Sequence, residues 1–417
     1  MRHANLETQP NPTNMDAVIS ANIEAQTIDQ LPLFDQIHAD ALRVLEEVGV
    51  KCQSPEIRAI FEETGLAAYD DTTGHLYILS PLVEQALGTV PKRGDYWVSE
   101  NAFGIGGTAP FVYDGGTGEL IQPTFEHLVQ ICKIAQAADE VGFMARGVLI
   151  PKQEVKVLDT MIAHCRKPIY AAAVTEAGIH RADEIHRTRG NLTVQFSIIN
   201  SPLNVIESML PPFLACVRKG IPTYVSTMPM AGLSAPYSMS GLLTLTHAEA
   251  LFGTTLAQLV NPGVTVVHAG LPSIANINKN YAVDLGLVSH NIANLLLDHI
   301  NKKLDLPSIH SACTTSEDAP SLKAEADAVN GYALFKKYSF HQMRHAFGFL
   351  KELVSFSIEK LERHIDLCRE TMPIQAPAYV FDAYDPEGFD AIQRNGSRPN
   401  YMRDDHTLKN MQRCFLL

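Results

Sequence analysis

The stretch Met228–Gly270, MPMAGLSAPYSMSGLLTLTHAEALFGTTLAQLVNPGVTVVHAG, decides the fold. It opens at the end of a strand-like run, Thr223 to Thr227, and crosses a loop of Gly, Ala, Ser and Pro. A helix is expected from about Ser240 to Val260. Asn261, Pro262 and Gly263 stop it, and Val264 to Ala269 read as the next buried strand. Strand, helix and strand in one span make a βαβ unit. On a helical wheel Leu242, Leu245, Phe252, Leu256 and Leu259 share one stripe, and Glu249 projects into it. A buried carboxylate is costly unless it is paired or hydrogen-bonded. Two readings stand: a structural bond to a neighbouring strand or loop, and a carboxylate that holds something cationic.

The same rhythm runs outward from this unit. Strands are expected at Gly142 to Leu149, Pro168 to Val174, Thr193 to Ile199, Pro222 to Thr227, Val264 to Ala269 and Pro307 to Cys313. Helical patterns fill the gaps, at Val155 to Cys165, Ala177 to Arg187, Val205 to Lys219, Ala282 to Lys302 and Ser321 to Lys337. Apolar strands alternating with amphipathic helices mean a parallel sheet covered by helices. This many units predict an α/β fold of the (β/α)8 TIM-barrel type, with an N-terminal helical and β-hairpin decoration. Residues 1–30 read as a flexible arm, and 31–417 as a single domain whose main repeats start near 141. Within the decoration, helices are expected at Leu33 to Glu47, after the Ser54 cap, and from Ser80 to Leu87. The run FGIGGTAPFVYDGGTGELI offers a Gly-x-Gly-x-x-Ala from Gly104, but Pro110 and a second turn follow where a helix should open. A hairpin with arms Phe111 to Asp114 and Glu119 to Ile121 fits better. Arg344 to Leu350 is either the last strand or the start of a helix.

Charge and composition exclude several classes. The formal charge of -13 is offset by no dense Lys/Arg run, which argues against a nucleic-acid surface. No apolar run reaches the ~20 residues of a membrane span. The polar, Pro-rich start (MRHANLETQPNPTN) has no apolar core for export. Seven scattered cysteines without a CxxC pair fit reduced thiols, so a cytoplasmic protein is expected.

In a barrel of this kind chemistry sits where strands end. The expected strand ends carry few charges. His268 and His310 could ligate a metal, but no HxH occurs and acids are sparse, so satisfied core histidines compete with that reading. His364 and Cys368 stand at i, i+4, with a solvated helix face as the alternative. No GxSxG elbow supports a serine nucleophile, and Lys167 lies before a strand, at the wrong end for a Schiff base.

Six stretches together resemble the trimethylamine methyltransferase family of corrinoid-dependent enzymes, in the branch without pyrrolysine. They are RVLEEVGV (Arg43–Val50), YDGGTGELIQPT (Tyr113–Thr124), SPL (Ser201–Leu203), MPMAGLSAP with HAEALFGTTLAQLVNPG, HAFGFL (His345–Leu350) and DDHTLKNMQR (Asp404–Arg413). The resemblance implies a TIM barrel that moves a methyl group from a methylated amine to the cobalt(I) of a corrinoid (cobalamin) on a separate protein. A quaternary amine is the implied donor, since it leaves as a neutral tertiary amine. The implied partners are the amine, the corrinoid protein and further copies of the chain in a homo-oligomer. Two departures stand out: the loop SACTTSEDAP is divergent, and the chain ends at Leu417, soon after the HTLKN match, where the family continues.

Substrate-binding candidates follow residue by residue, with no metal ligands and no assigned catalytic group. Glu249 lies in the best-matched stretch. Tyr113 and Asp114 stand at the hairpin turn, where a turn-forming Asp is the alternative. Asn200 precedes the SPL match and could equally be a loop cap. His345 opens the HAFGFL match, with His341 one turn away if that segment is helical. Phe340 and Tyr237 could form an aromatic cage for a quaternary ammonium, or simply core. Two other classes stay open: a metal- or Schiff-base-dependent barrel lyase or hydrolase, and a non-catalytic quaternary-amine-binding protein.

Overall fold

The computed structural model describes Ile28, residues 31–373 and residues 384–411. The arm expected over residues 1–30 falls almost wholly outside them. Eight short strands form the centre: β1 Ala102–Ile105, β2 Phe143–Met144, β3 Ile169–Ala171, β4 Leu192–Phe196, β5 Thr223–Val225, β6 Val266–His268, β7 His310–Ser311 and β8 Gln342–Arg344. Each but β6 pairs in parallel with the next, and β8 pairs with β1. A parallel bridge between His268 and Ser308 joins β6 to the start of β7 and closes the ring. A helix follows each strand: α1 Phe125–Ala137, α2 Glu154–His164, α3 Glu176–Arg189, α4 Leu210–Arg218, α5 Met239–Val260, α6 Val288–Lys303, α7 Leu322–Tyr338 and α8 Ile358–Glu370. This is the (β/α)8 barrel that the alternating pattern predicts.

Local chemistry explains where the helices begin. Thr124, Thr175, Ser238, Ser321 and Ser357 each place a side-chain oxygen on a first-turn N–H of the helix that follows. The bore is filled by Ala102, Phe143, Tyr170, Tyr224, Val267 and Ile309, one inward residue from each of six strands or their margins. Tyr96 closes its lower end, with its hydroxyl 2.8 Å from that of Tyr170 and 2.6 Å from Thr193 Oγ1. Below lies a buried ion pair: Arg93 donates to Asp298 at 3.0 Å and to Glu100 at 2.6 Å.

Two sequence expectations change. The stripe on α5 is not its only buried face, because every residue from Met239 to Gln258 is buried. The helices Leu33–Arg43, Pro55–Glu62, Ser80–Leu87 and Glu387–Asn395 surround it. The run that offers the Gly-x-Gly-x-x-Ala pattern instead begins in the first barrel strand, Ala102–Ile105. Gly104 is there because a Cβ would stand 2.3 Å from the Phe143 ring. The expected hairpin is present, pairing Val112 with Ile121 and Tyr113 with Leu120, and it joins strands 349–350 and 355–356 in a small sheet beside β8. Among the described residues, no helix is long and apolar enough to cross a membrane.

Candidate functional site

A cavity of about 530 Å³ opens at the C-terminal ends of β4, β5 and β6. Ser197, Asn200 and Ser201 line it after β4, Ser226, Thr227, Met228 and Met230 after β5, and Leu271 after β6. Among the described residues, no side chain in its lining is ionisable. The loop from Met230 to Ser234 is folded back on itself, with Ser234 Oγ accepting from Met230 N–H at 2.9 Å.

Glu249 stands behind this wall. It is fully buried and accepts from Ser201 Oγ at 2.6 Å, from Leu203 N–H at 2.8 Å and from the Thr227 hydroxyl. Burial pushes its pKa up to about 7, against the three donors, which pull it down. The structural reading of this carboxylate is therefore the one its contacts match: it ties the loop after β4 to the end of β5, and two of its donors face the cavity. Asn200 lies in the cavity lining itself.

The β8 end brings a second set of groups to the mouth. His345 follows the strand directly, in a left-handed conformation (φ 66°), with Nδ1 3.0 Å from Ser311 Oγ. Ser311 Oγ is also 3.2 Å from His290 Nε2. Burial and then Arg344 hold the His345 pKa well below the ordinary histidine value, so its ring is neutral. Arg344 itself is 3 % exposed and donates to Ser226 Oγ at 3.2 Å and to the Ala269 carbonyl at 2.9 Å. Its guanidinium lies 5.1 Å from the centre of the Tyr224 ring. The glycines of FGIGG make this packing possible, since a Cβ on Gly106 would come within 2.4 Å of Arg344 Cβ. Sequence reasoning missed Arg344, although it directly precedes the HAFGFL match.

Other candidates lie elsewhere. His341 and Phe340 precede β8, at the end of the barrel opposite the mouth, which corrects their expected place beside substrate. His341 Nδ1 accepts from Ser308 N–H at 2.9 Å, and Phe340 packs on Phe103 and Phe335. Tyr237 is buried under the loop before α5, against Gly232, and not among the cavity's lining residues. Asp114 forms the hairpin turn by accepting from Gly116 N–H at 2.9 Å, which lowers its pKa, and Tyr113 sits on the adjoining arm. His268 bonds to His247 Nδ1 at 3.0 Å and His310 to the Gly270 carbonyl at 2.8 Å, both between barrel and helices. His364 and Cys368 are buried, not on the solvated face expected for them. Near them Lys360 is also buried, donating to the Phe349 carbonyl at 2.6 Å.

The family model for trimethylamine methyltransferase (MTTB) matches residues 4–416. The chain belongs to the trimethylamine methyltransferase family. It is 24% identical to the glycine betaine methyltransferase of Desulfitobacterium hafniense, over 91% of this chain and 83% of that one. It is 26% identical to the L-carnitine:corrinoid methyltransferase of Eubacterium limosum, over 64% of this chain and 60% of that one. The alignment thus spans less than two thirds of the carnitine enzyme's length. Among solved structures, the monomethylamine methyltransferase of Methanosarcina barkeri matches 89% of this chain and 85% of that one, with 11% identity and a TM-score of 0.47. Two of the family-like stretches meet at the cavity, and a third starts at the end of β8. SPL supplies donors to Glu249, MPMAGLSAP walls the cavity, and HAFGFL begins with His345.

Proposed function

We propose that this chain takes a methyl group from a quaternary amine of the glycine betaine kind and passes it to the corrinoid of a separate protein. The observation that carries this reading is the neutrality of the mouth cavity. A quaternary ammonium loses a methyl group with the C–N electron pair staying on nitrogen, so the leaving amine is neutral and no proton moves. A tertiary amine must stay protonated or be otherwise activated, and a wall of Ser, Thr, Asn and Met holds no carboxylate to keep a buried ammonium charged. The corrinoid supplies the low-valent cobalt to which the methyl goes. The work left to the chain is to hold the donor with one methyl presented outward, in a site that excludes water. Met228, Met230 and Leu271 give the methyl groups an apolar, polarisable surround. Ser201 and Thr227, fixed by Glu249, set the shape of the wall. The relatives named for glycine betaine and L-carnitine support the same donor class. The six described cysteines are free and buried, which suits a reducing cytoplasm.

The test is methyl transfer to chemically reduced cobalamin, followed by its visible spectrum, with glycine betaine, carnitine, proline betaine and trimethylamine. Methylcobalamin is expected with at least one quaternary amine and not with trimethylamine. Conversion with trimethylamine alone would overturn the reading. A chain that binds a betaine yet transfers nothing, with or without a corrinoid protein, would be a binding protein.

A further inference from the structure

We infer that Arg344, seconded by Arg146, anchors a carboxylate of the substrate, so that the donor is a zwitterion and not a simple cation. This rests on the reading of the mouth as a quaternary-amine site and names the other end of the molecule bound there.

The argument starts from a buried charge without a counter-charge. Arg344 is 3 % exposed, and among the described residues no ion pair includes it. Its partners are neutral: Ser226 Oγ, the Ala269 carbonyl and the face of Tyr224, while Nε has no partner. A guanidinium is always protonated, and its flat fork matches a carboxylate in two parallel hydrogen bonds. Ser226 lines the mouth cavity, and the guanidinium stands behind it, one hydrogen bond from the wall. Arg146, two residues past β2, is half-buried, and its bond is to Thr108 Oγ1 at 3.1 Å. The carboxylate that acts on it, Glu154, is committed to capping α3, accepting from Val174 N–H, Thr175 N–H and the Thr175 hydroxyl.

An unpaired guanidinium behind the wall of a neutral cavity repels a bare cation. A donor that carries its own carboxylate turns that repulsion into the strongest contact in the site. Methionines and leucine then take the methyl end, and the arginines the acid end. The two glycines Gly106 and Gly107, which a Cβ would drive into Arg344 and His345, keep β1 close enough for this arrangement.

The experiment measures binding to the full chain by calorimetry, without any corrinoid, using three probes. Glycine betaine has both charges, 3,3-dimethylbutanoate keeps the carboxylate but has a neutral tert-butyl group, and choline keeps the cation without the carboxylate. The native chain is expected to bind the first two at least 10-fold more tightly than choline. Arg344→Gln should weaken both carboxylates roughly 10- to 100-fold and leave choline binding no weaker, with Arg344→Lys recovering part of the loss. Arg146→Gln should do the same to a smaller degree, and serves if Arg344→Gln does not fold. Choline binding as tightly as betaine, an equal loss for all three probes, or no binding of either carboxylate would overturn the inference. A chain that shows this carboxylate selectivity but never methylates reduced cobalamin would instead overturn the proposed function and leave the anchor standing.

Discussion

Replacing Glu249 with Gln should remove a pH dependence of stability that the native chain shows near neutrality. The carboxyl is fully buried, and burial lifts its pKa from the ordinary 4.5 to about 7. The folded state therefore holds a proton that the unfolded chain releases between pH 4.5 and 7. Stability contributed by this group is present in full below 4.5, falls as the pH rises, and is gone above 7. A shift from 4.5 to 7 corresponds to about 3 kcal/mol at ~1.4 kcal/mol per unit. The assay is urea unfolding of native and Glu249→Gln chains at half-unit steps from pH 5 to 8. Histidines such as His247 and His290, whose buried rings are held neutral, give the opposite slope, but they are common to both chains and cancel in the difference. The native-minus-variant stability should fall by about 2–3 kcal/mol across that window. A flat difference would refute the reasoning, since it would mean that Ser201, Leu203 and Thr227 hold the carboxylate ionised throughout.

Asp298→Ala at the base of the barrel should cost about 3–5 kcal/mol in unfolding free energy, because Arg93, the Ser308 hydroxyl and the His341 N–H lose a buried acceptor. Little or no loss in a denaturant melt would show that Glu100 suffices to hold Arg93. Gly106→Ala should destabilise by about 1–3 kcal/mol and also weaken betaine binding, since its Cβ meets Arg344 Cβ at 2.4 Å. Gly94→Ala, which meets nothing within 4 Å, is the control that should do neither. Lys360 is the mirror of Glu249: burial lowers its pKa to about 7, so the unfolded chain binds the extra proton and stability should rise between pH 7 and 10.5. Lys360→Met should abolish that rise, as seen in thermal melts at pH 7, 8 and 9.

The barrel was legible because its strands and helices differ in period, and that signal survives whatever the loops do. Five of the eight strands sit inside spans the alternation marks, and a sixth, β4, starts one residue early. The first strand was hidden because its residues Ala102–Ile105 answer to steric demand, not to β propensity: Gly104 is set by the Phe143 ring beside it. The last was left open because Gln342 and Arg344 are polar residues in a strand core, a placement with no pattern to announce it. The candidate site was legible where a motif and a strand end coincide, at Asn200 and His345. It failed where spacing stood in for position. His341 and His345 are four residues apart, yet the three-residue strand between them separates the closed end of the barrel from its mouth. His364 and Cys368 sit among charged residues in sequence, but the helix turns Glu362, Arg363, Asp366 and Arg369 outward and buries these two, with His364 against Tyr332.

The two ends of the barrel hold the same side chain in opposite circumstances, and that contrast is what separates support from recognition here. Arg93 and Arg344 are buried almost equally, at 4 % and 3 % exposure. Arg93 meets the carboxylates of Asp298 and Glu100, so its charge is answered within the chain and its role is to fasten residues before β1 to α6 and β7. Arg344 meets a hydroxyl, a carbonyl and a ring, behind a cavity whose described lining is neutral. Burial alone would assign both to the core, and charge alone would assign both to a site. The partner set distinguishes them. A desolvated cation with only neutral partners is a standing cost to the folded chain. The anion that offsets it must come from outside, and the cavity that Ser226 lines is the way in.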